Sequence, residues 1–243
     1  MSQSQGLLDN KISVSTLTSS VIRSLKLTRH ESIDKYYIQD SIKHKASIAA
    51  LNQSGDILAV RLGTIYSSRD RGEKLFQKTL TWAFSFKAVS SRLPEPLQNM
   101  HHMLKFTKMA DYDVWNMFDR LGTDKIYEAK GVCSARAHGI RGLGTELVRR
   151  SEILAVERGC THVYAALTGD KIALGNMMMV YVSGMYSQKL FAGLDHITIT
   201  SVDYVDYKDP SGTPYINDTR EHTKLVVCYK KIAQFSPSDL AVV

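Results

Sequence analysis

The sequence predicts an α+β fold in which helices flank a mixed, mostly antiparallel sheet. Three stretches carry this expectation. Residues 46–62 hold two apolar runs of strand length joined by Asn52-Gln53-Ser54-Gly55-Asp56, the signal of a hairpin. Residues 130–164 read as strand, glycine-rich turn, helix and strand. Residues 197–232 hold two further β-rich runs joined through Asp209-Pro210-Ser211-Gly212. Helical patterns lie before and between these stretches, an order that fits a sheet with helices packed on it.

Each element follows from local chemistry. Residues 1–20 are polar and serine-rich, with only Ile12, Val14 and Leu17 hinting at a strand, so most of this segment is expected to be poorly ordered. Thr28-Arg29-His30-Glu31 is a capping box, and Ile33, Tyr36 and Tyr37 continue at helical spacing, which predicts a helix over about 29–44. Ala46–Leu51 and Ile57–Leu62 form the hairpin. From Gly63 to Lys125 the pattern is helical but interrupted by a charged stretch at 68–74 and by Leu93-Pro94-Glu95-Pro96. Trp82, Phe84 and Phe86 lie in this region, followed by Met100, Leu104, Val114, Trp115, Met117 and Phe118. In the central stretch Leu143, Leu147 and Leu154 recur with Val148 and Ala155 at helical spacing, and Gly159 stands where a left-handed C′ residue belongs. Thr161–Leu167 is then a strand, Tyr186–Ala192 a short helix, and Ile197–Tyr207 and Lys224–Ile232 are strands. The tail from Ala233 is expected to fray.

Composition narrows the function classes. A chain of 243 residues with 44% hydrophobic content can build one core, and a single domain over 21–233 is expected, with 234–243 as tail. Cys133, Cys160 and Cys228 are widely spaced, odd in number and outside any CxxC, which points away from a disulfide framework or a zinc site and toward a reducing, cytoplasmic setting. The N-terminus lacks a signal-peptide pattern, and the apolar run Ile172–Met185 contains Asn176 and falls short of the ~20 residues a membrane span needs. A net charge of +7 suits an anionic ligand, an acidic partner or nucleic acid. No helix carries the clustered basic face with interleaved aromatics that nucleic acid would favour.

The chemistry concentrates in His138-Gly139-Ile140-Arg141-Gly142-Leu143-Gly144-Thr145. Three glycines let the backbone approach a ligand that a Cβ would hold off. The helix that opens after them offers N–H groups and the positive end of its dipole to an anion, which implies a phosphate. No GxxxxGK[ST] is present, and a GxGxxG would need glycine at position 147, where Leu147 stands. The turn resembles the coenzyme A pyrophosphate loop of the GNAT acetyltransferases, an Arg or Gln, two residues, Gly, one residue, then Gly or Ala. Two registers fit. Counting from Arg136 aligns Gly139 and puts Arg141 at a small-residue position. Counting back from Leu147 aligns Gly142 and Gly144 and is preferred, because both close-approach positions are then glycine.

Further on, Thr168-Gly169, Tyr186-Ser187-Gln188-Lys189-Leu190-Phe191, Tyr204-Val205-Asp206-Tyr207, Gly212-Thr213-Pro214 and His222-Thr223-Lys224-Leu225 resemble, in order and type, the C-terminal half of the invertebrate arylalkylamine N-acetyltransferases. With the central motif, the resemblance covers roughly half the chain. It implies that the strands ending near Ser134 and Leu167 splay apart to admit pantetheine, with the thioester near Val132, Cys133 and Ser134. The pyrophosphate would lie over Gly139, Ile140, Arg141, Gly142, Leu143, Gly144 and Thr145. The implied reaction is direct acetyl transfer from acetyl-CoA to a small primary amine, with no membrane or nucleic-acid partner. Oligomeric state is not legible.

The same resemblance places Tyr186 as donor of a proton to the leaving thiolate, against the plainer role of a surface or core tyrosine. Ser187 and Thr168 match hydroxyls that assist proton transfer, against simple helix capping. His222 matches a histidine before the last strand, more often a hydrogen-bonded structural residue. Cys133 is expected to be a buried, inert thiol. Trp82, Phe84, Phe86, Trp115 and Phe118 could line an aromatic pocket, but core packing is the commoner role.

Two departures stand out. Where the family carries a Glu-Pro pair whose glutamate is the general base, this chain reads Thr18-Ser19-Ser20-Val21-Ile22-Arg23-Ser24-Leu25. The segment before it is too short for a complete first strand and helix. In addition, removing Asp170–Gly184 would rejoin Thr168-Gly169 to Met185-Tyr186-Ser187 as the family has them, so these 15 residues read as an insertion. The alternative to an active enzyme is therefore a catalytically impaired GNAT-like coenzyme A-binding protein, or a splice or gene-model variant.

Overall fold

The computed structural model describes residues 13–16, 41, 43–71, 106, 109, 110, 114–134, 142–167, 185–216 and 222–232. The chain divides into two compact units, one of Met1–Ile65, Tyr127–Val163 and Lys231–Val243, the other of Tyr66–Ile126 and Tyr164–Lys230. Its described elements, in chain order, are β1 (Ser13–Thr16), β2 (Ile48–Leu51), β3 (Ile57–Ser67), a 3-10 turn (Ser68–Arg71), α1 (Val114–Leu121), β4 (Lys125–Ser134), α2 (Leu143–Glu157), β5 (His162–Leu167), α3 (Met185–Ala192), β6 (Ile197–Asp203), a second 3-10 turn (Tyr204–Asp206) and β7 (Lys224–Lys231). The fold is α+β with a mixed, mostly antiparallel sheet. No helix among the described residues is long and apolar enough to cross a membrane.

In the first unit the strand order is β1-β2-β3-β4. β1 forms where the sequence carried only a hint, because β2 supplies an antiparallel partner: Ser13 faces Leu51 and Thr16 faces Ile48. The hairpin of β2 and β3 is the expected one, with Ile48 opposite Arg61 and Ala50 opposite Ala59. Its turn closes through Asn52, whose N–H donates to Asp56 O at 3.0 Å, and through Gly55 at φ 84°.

β3 runs on to Ser67, which corrects the helical expectation for residues 63–67. The reason lies at Gly63. A Cβ there would fall inside the phenol ring of Tyr127, so the strand leaves a groove that the ring fills. Tyr127 Oη crosses it and donates to Ala46 O at 3.0 Å, while Gly63 N–H donates to Ser47 Oγ at 3.1 Å. Burial pushes the Tyr127 phenol up, and the Arg61 guanidinium opposes that shift.

α2 lies in the same unit. Leu143 and Leu147 bury themselves against Ile48, Ala50, Leu58 and Ala59, with Leu154 packed at the margin. Each buried leucine contributes about 2 kcal/mol. The helix ends as its sequence implied. Gly159 takes φ 78°, its N–H donates to Val156 O, and Cys160 N–H donates to Ala155 O, both at 2.8 Å, a Schellman closure.

In the second unit the strand order is β5-β7-β6. β6 pairs antiparallel with β7, Ile197 opposite Tyr229 and Asp203 opposite Lys224. β6 stops at Asp203 rather than Tyr207, because Tyr204 turns inward through the 3-10 turn to join Phe106, Met117, Phe118, Ile126, Tyr164 and Leu225 in one core. Within that core the Phe106 and Tyr204 rings lie 5.3 Å apart. The Asp209–Gly212 turn forms as expected, with Gly212 at φ 88° and Asp209 Oδ1 accepting from Ser211 and Thr213 N–H. Of the predicted 29–44 helix Ser41, Lys43 and His44 are described: the first two are helical, and the chain turns at His44–Lys45. The rest of that helix, the aromatic stretch 82–86, the segment 170–184 and the tail from Ala233 lie outside the described residues.

Replacing Gly63 by alanine forces the Tyr127 ring off β3 and is expected to lower unfolding free energy by about 1–3 kcal/mol in urea titration. Tyr127→Phe, which keeps the ring but loses the bond to Ala46, should cost about 1 kcal/mol. A Gly63→Ala protein as stable as the parent would show that the ring does not occupy that groove. A second expectation concerns His162, whose imidazole is held below its ordinary 6.5 by burial and then by Lys231. A histidine kept neutral by folding binds fewer protons than in the unfolded chain. Its contribution is present above the unfolded value and lost as pH falls through the depressed folded one. His162→Gln should therefore flatten the fall of melting temperature between about pH 7 and 5.

Candidate functional site

β4 leaves the core as it approaches its end. Its residues are buried through Gly131, Val132 is half-buried, and Cys133 and Ser134 are exposed. This corrects the expectation of a buried Cys133: the strand has run past the layer that covers it, whereas Cys160 and Cys228 are buried. Gly139, Ile140 and Arg141 lie outside the described residues, as does Thr168.

The chain is described again from Gly142, the N-cap of α2, at φ 85° and ψ −12°. That left-handed conformation is strained for any side chain but leaves glycine unstrained. The next residue, Leu143, is buried, so the helix starts anchored; Gly144 and Thr145 are half-buried in its first turn. A Cβ built on Gly144 would meet only Val132 Cγ2, at 3.9 Å. Val132 and the first turn of α2, predicted to share a ligand, are therefore neighbours in space.

The electrostatics of this end are those of an anion cradle. Glu146 N–H makes the first intrahelical bond, to Gly142 O at 3.0 Å, so the N–H groups of Leu143, Gly144 and Thr145 precede the ladder. A glycine N-cap has no side chain with which to close them. Glu146 would itself repel an anion, but Arg150 Nε holds its carboxylate at 2.7 Å one turn on.

The candidate proton-transfer residues sit in the second unit. Tyr186, second residue of α3, is 64% exposed, and Ser187 is buried within the helix, not at its cap. His222 has the hydrogen-bonded role its isolation implied. Its Nδ1 accepts the N–H of Met185, first residue of α3, at 3.0 Å. One turn on, Gln188 Nε2 donates to Lys224 O at 3.0 Å. Neither partner is legible in sequence, since 37 and 36 residues separate them. Phe118 packs into the core, as expected. Sequence reasoning missed the ion pair of Glu128 and Lys130, 4.0 Å apart and both buried. Strand parity was the available signal: 128, 130 and 132 alternate onto one face of β4.

No protein-family model matches this sequence, and no curated protein matches it. Solved structures do match its fold. The crystal structure of arylalkylamine N-acetyltransferase 2 from Aedes aegypti superposes at a TM-score of 0.67, with 21% identity, over 91% of this chain and 99% of that one. The chain has the GNAT fold. A Drosophila melanogaster polyamine N-acetyltransferase, an enzyme catalysing formation of N-acetylagmatine, matches at 0.62 with 17% identity over 90% and 99% of the two chains. An apo agmatine N-acetyltransferase variant gives the same TM-score and identity over 90% and 98%. At these identities the likeness is one of fold.

The two glycines are expected to behave oppositely. Gly142→Ala must adopt a positive φ and should lose about 1–2 kcal/mol of stability. Gly144→Ala has room for its methyl and should be neutral or gain up to about 1 kcal/mol from helix propensity. Equal losses in chemical denaturation would overturn this assignment.

Proposed function

We propose that this chain is an acetyl-CoA-dependent N-acetyltransferase acting on a small primary amine of the arylalkyl class. The observation that supports it best is Gly144. The fold has no need of glycine there: the space accepts a methyl, and alanine would favour the helix. What the missing Cβ leaves uncovered is the first turn of α2 beside Val132, where the N–H groups of Leu143, Gly144 and Thr145 can meet a pyrophosphate. The glycine is thus explained by a ligand. The names of the fold relatives, arylalkylamine, polyamine and agmatine N-acetyltransferases, favour an amine as acceptor.

When bound, acetyl-CoA supplies an activated acetyl group. The chain's own residues have three tasks. The backbone at Val132–Ser134, at the exposed end of β4, orients the acyl carbonyl. Tyr186, exposed at the start of α3, donates a proton to the departing thiolate, assisted by the hydroxyls of Ser187 and Thr168. The amine must shed its own proton, and the stretch that would hold the Glu-Pro base, Thr18–Leu25, has neither residue. The amine therefore reaches its neutral form in solvent or through water. The absence of a glutamate and a proline throughout Thr18–Leu25 favours the second reading, a coenzyme A-binding protein with impaired catalysis.

Calorimetry with coenzyme A and thiol release with tryptamine, dopamine and spermidine test the proposal. Gly144→Val should abolish coenzyme A binding without unfolding the protein, and Tyr186→Phe should lower turnover by about 100-fold or more. Turnover should climb from about pH 7 to 9 as the amine deprotonates; a flat profile would mean that a carboxylate such as Glu128 takes the proton. Failure to bind coenzyme A sinks the proposal, and binding without turnover selects the second reading.

A further inference from the structure

We propose that His222 is a positioning residue for the proton donor, holding the first turn of α3 so that the Tyr186 phenol keeps one orientation. The catalytic part of this inference rests on the reading of Tyr186 given above; the structural part does not.

α3 is eight residues long, too short to hold its shape alone, and only Ser187 and Phe191 are buried. Its ends are secured differently. Near the C-terminus, Phe191 packs edge-on to His196 with ring centroids 4.7 Å apart. At the N-terminus two polar contacts come from one short stretch of chain. His222 Nδ1 takes the Met185 N–H, and Lys224 O takes the Gln188 side chain, each at 3.0 Å. Met185 and Gln188 share a face of the helix, being three residues apart, and His222 and Lys224 flank the start of β7. Together they form a two-point clamp, which resists rotation where a single bond would act as a pivot.

Tyr186 stands next to Met185 in this clamped turn. At 64% exposure its ring gains little direction from packing, so the backbone of the first turn sets where the phenol points. Removing the His222 acceptor leaves the leading N–H of a short helix without this partner, and that turn frays. A shift of about 1 Å in a reacting group can cost about 100-fold in rate. Because Nδ1 accepts, the ring carries its proton on Nε2. Asparagine can place an acceptor oxygen where Nδ1 lies, and leucine cannot.

The test uses the full chain with His222→Leu, His222→Asn and Tyr186→Phe, alone and combined. His222→Leu should lower kcat about 10- to 100-fold with KM for acetyl-CoA unchanged, and His222→Asn should restore most of it. On the Tyr186→Phe background His222→Leu should have no further effect, since it acts through the phenol. A further loss there, of the same size as in the parent, would show a general structural defect and overturn the inference. So would a His222→Leu enzyme with parental kcat. A fluorotyrosine label at position 186 supplies a readout independent of activity. Its fluorine resonance should be narrow and shifted in the parent, and averaged toward the free amino acid in His222→Leu. An unchanged resonance overturns the inference even if the parent proves to have no acetyltransferase activity, an outcome that would count only against the proposed function. Should His222→Leu fail to fold, Gln188→Met cuts the other arm of the clamp. It should give a smaller kcat loss that also vanishes on the Tyr186→Phe background; an undiminished loss there refutes the clamp.

Discussion

A helix can present its first N–H groups to a ligand only if the chain enters it sharply and brings no side chain over its end. Gly142 meets the first condition with a left-handed backbone, and being glycine it meets the second. Leu143, immediately after it, is buried, and with Leu147 it fixes the helix on Ile48, Ala50, Leu58 and Ala59. The open end and the anchored face therefore begin within one residue of each other. Because Leu143 cannot move without exposing apolar surface, the N–H groups beside it are held in place before any ligand arrives. Such preorganisation is what an anion site needs, since the ordering cost is met during folding.

The sheet beneath this helix owes its continuity to a missing side chain as well. Gly63 lets the Tyr127 ring lie across β3 and reach Ala46, tying residues 46, 63 and 127 together. β2, which receives Leu143 and Leu147, begins two residues after the tied Ala46. This constraint thus supports the surface on which α2 rests.

In the second unit α3 is secured by hydrogen bonds at one end and by an aromatic contact at the other. Polar tethers are directional, so they orient a side chain better than an apolar contact of equal strength. An exposed phenol needs that direction, because no surrounding core confines it. Burial has the opposite effect on Tyr207, whose phenol is pushed up to about 12. A buried phenol of that kind holds its proton.

Much of this was legible in the sequence because the signals are local. The hairpin turn at Asn52–Asp56, the helical spacing of Leu143, Leu147 and Leu154, and the left-handed stop at Gly159 each depend on a few neighbouring residues. The start of α2 at Leu143, directly after the glycine turn, was legible for the same reason. β1 was barely legible, since four residues become a strand only when β2 lies alongside. Residues 63–67 were misjudged because the partner that makes them strand, Tyr127, lies more than sixty positions away. The exposure of Cys133, the Glu128–Lys130 pair and the bond from Met185 to His222 likewise depend on which segments the fold brings together. The sequence by itself determined the order of elements and the stop of α2 at Gly159, because short-range backbone preferences decide both. Only the tertiary structure decided where strands end, which charges are buried and what holds α3, because those outcomes depend on contacts between residues far apart in the chain.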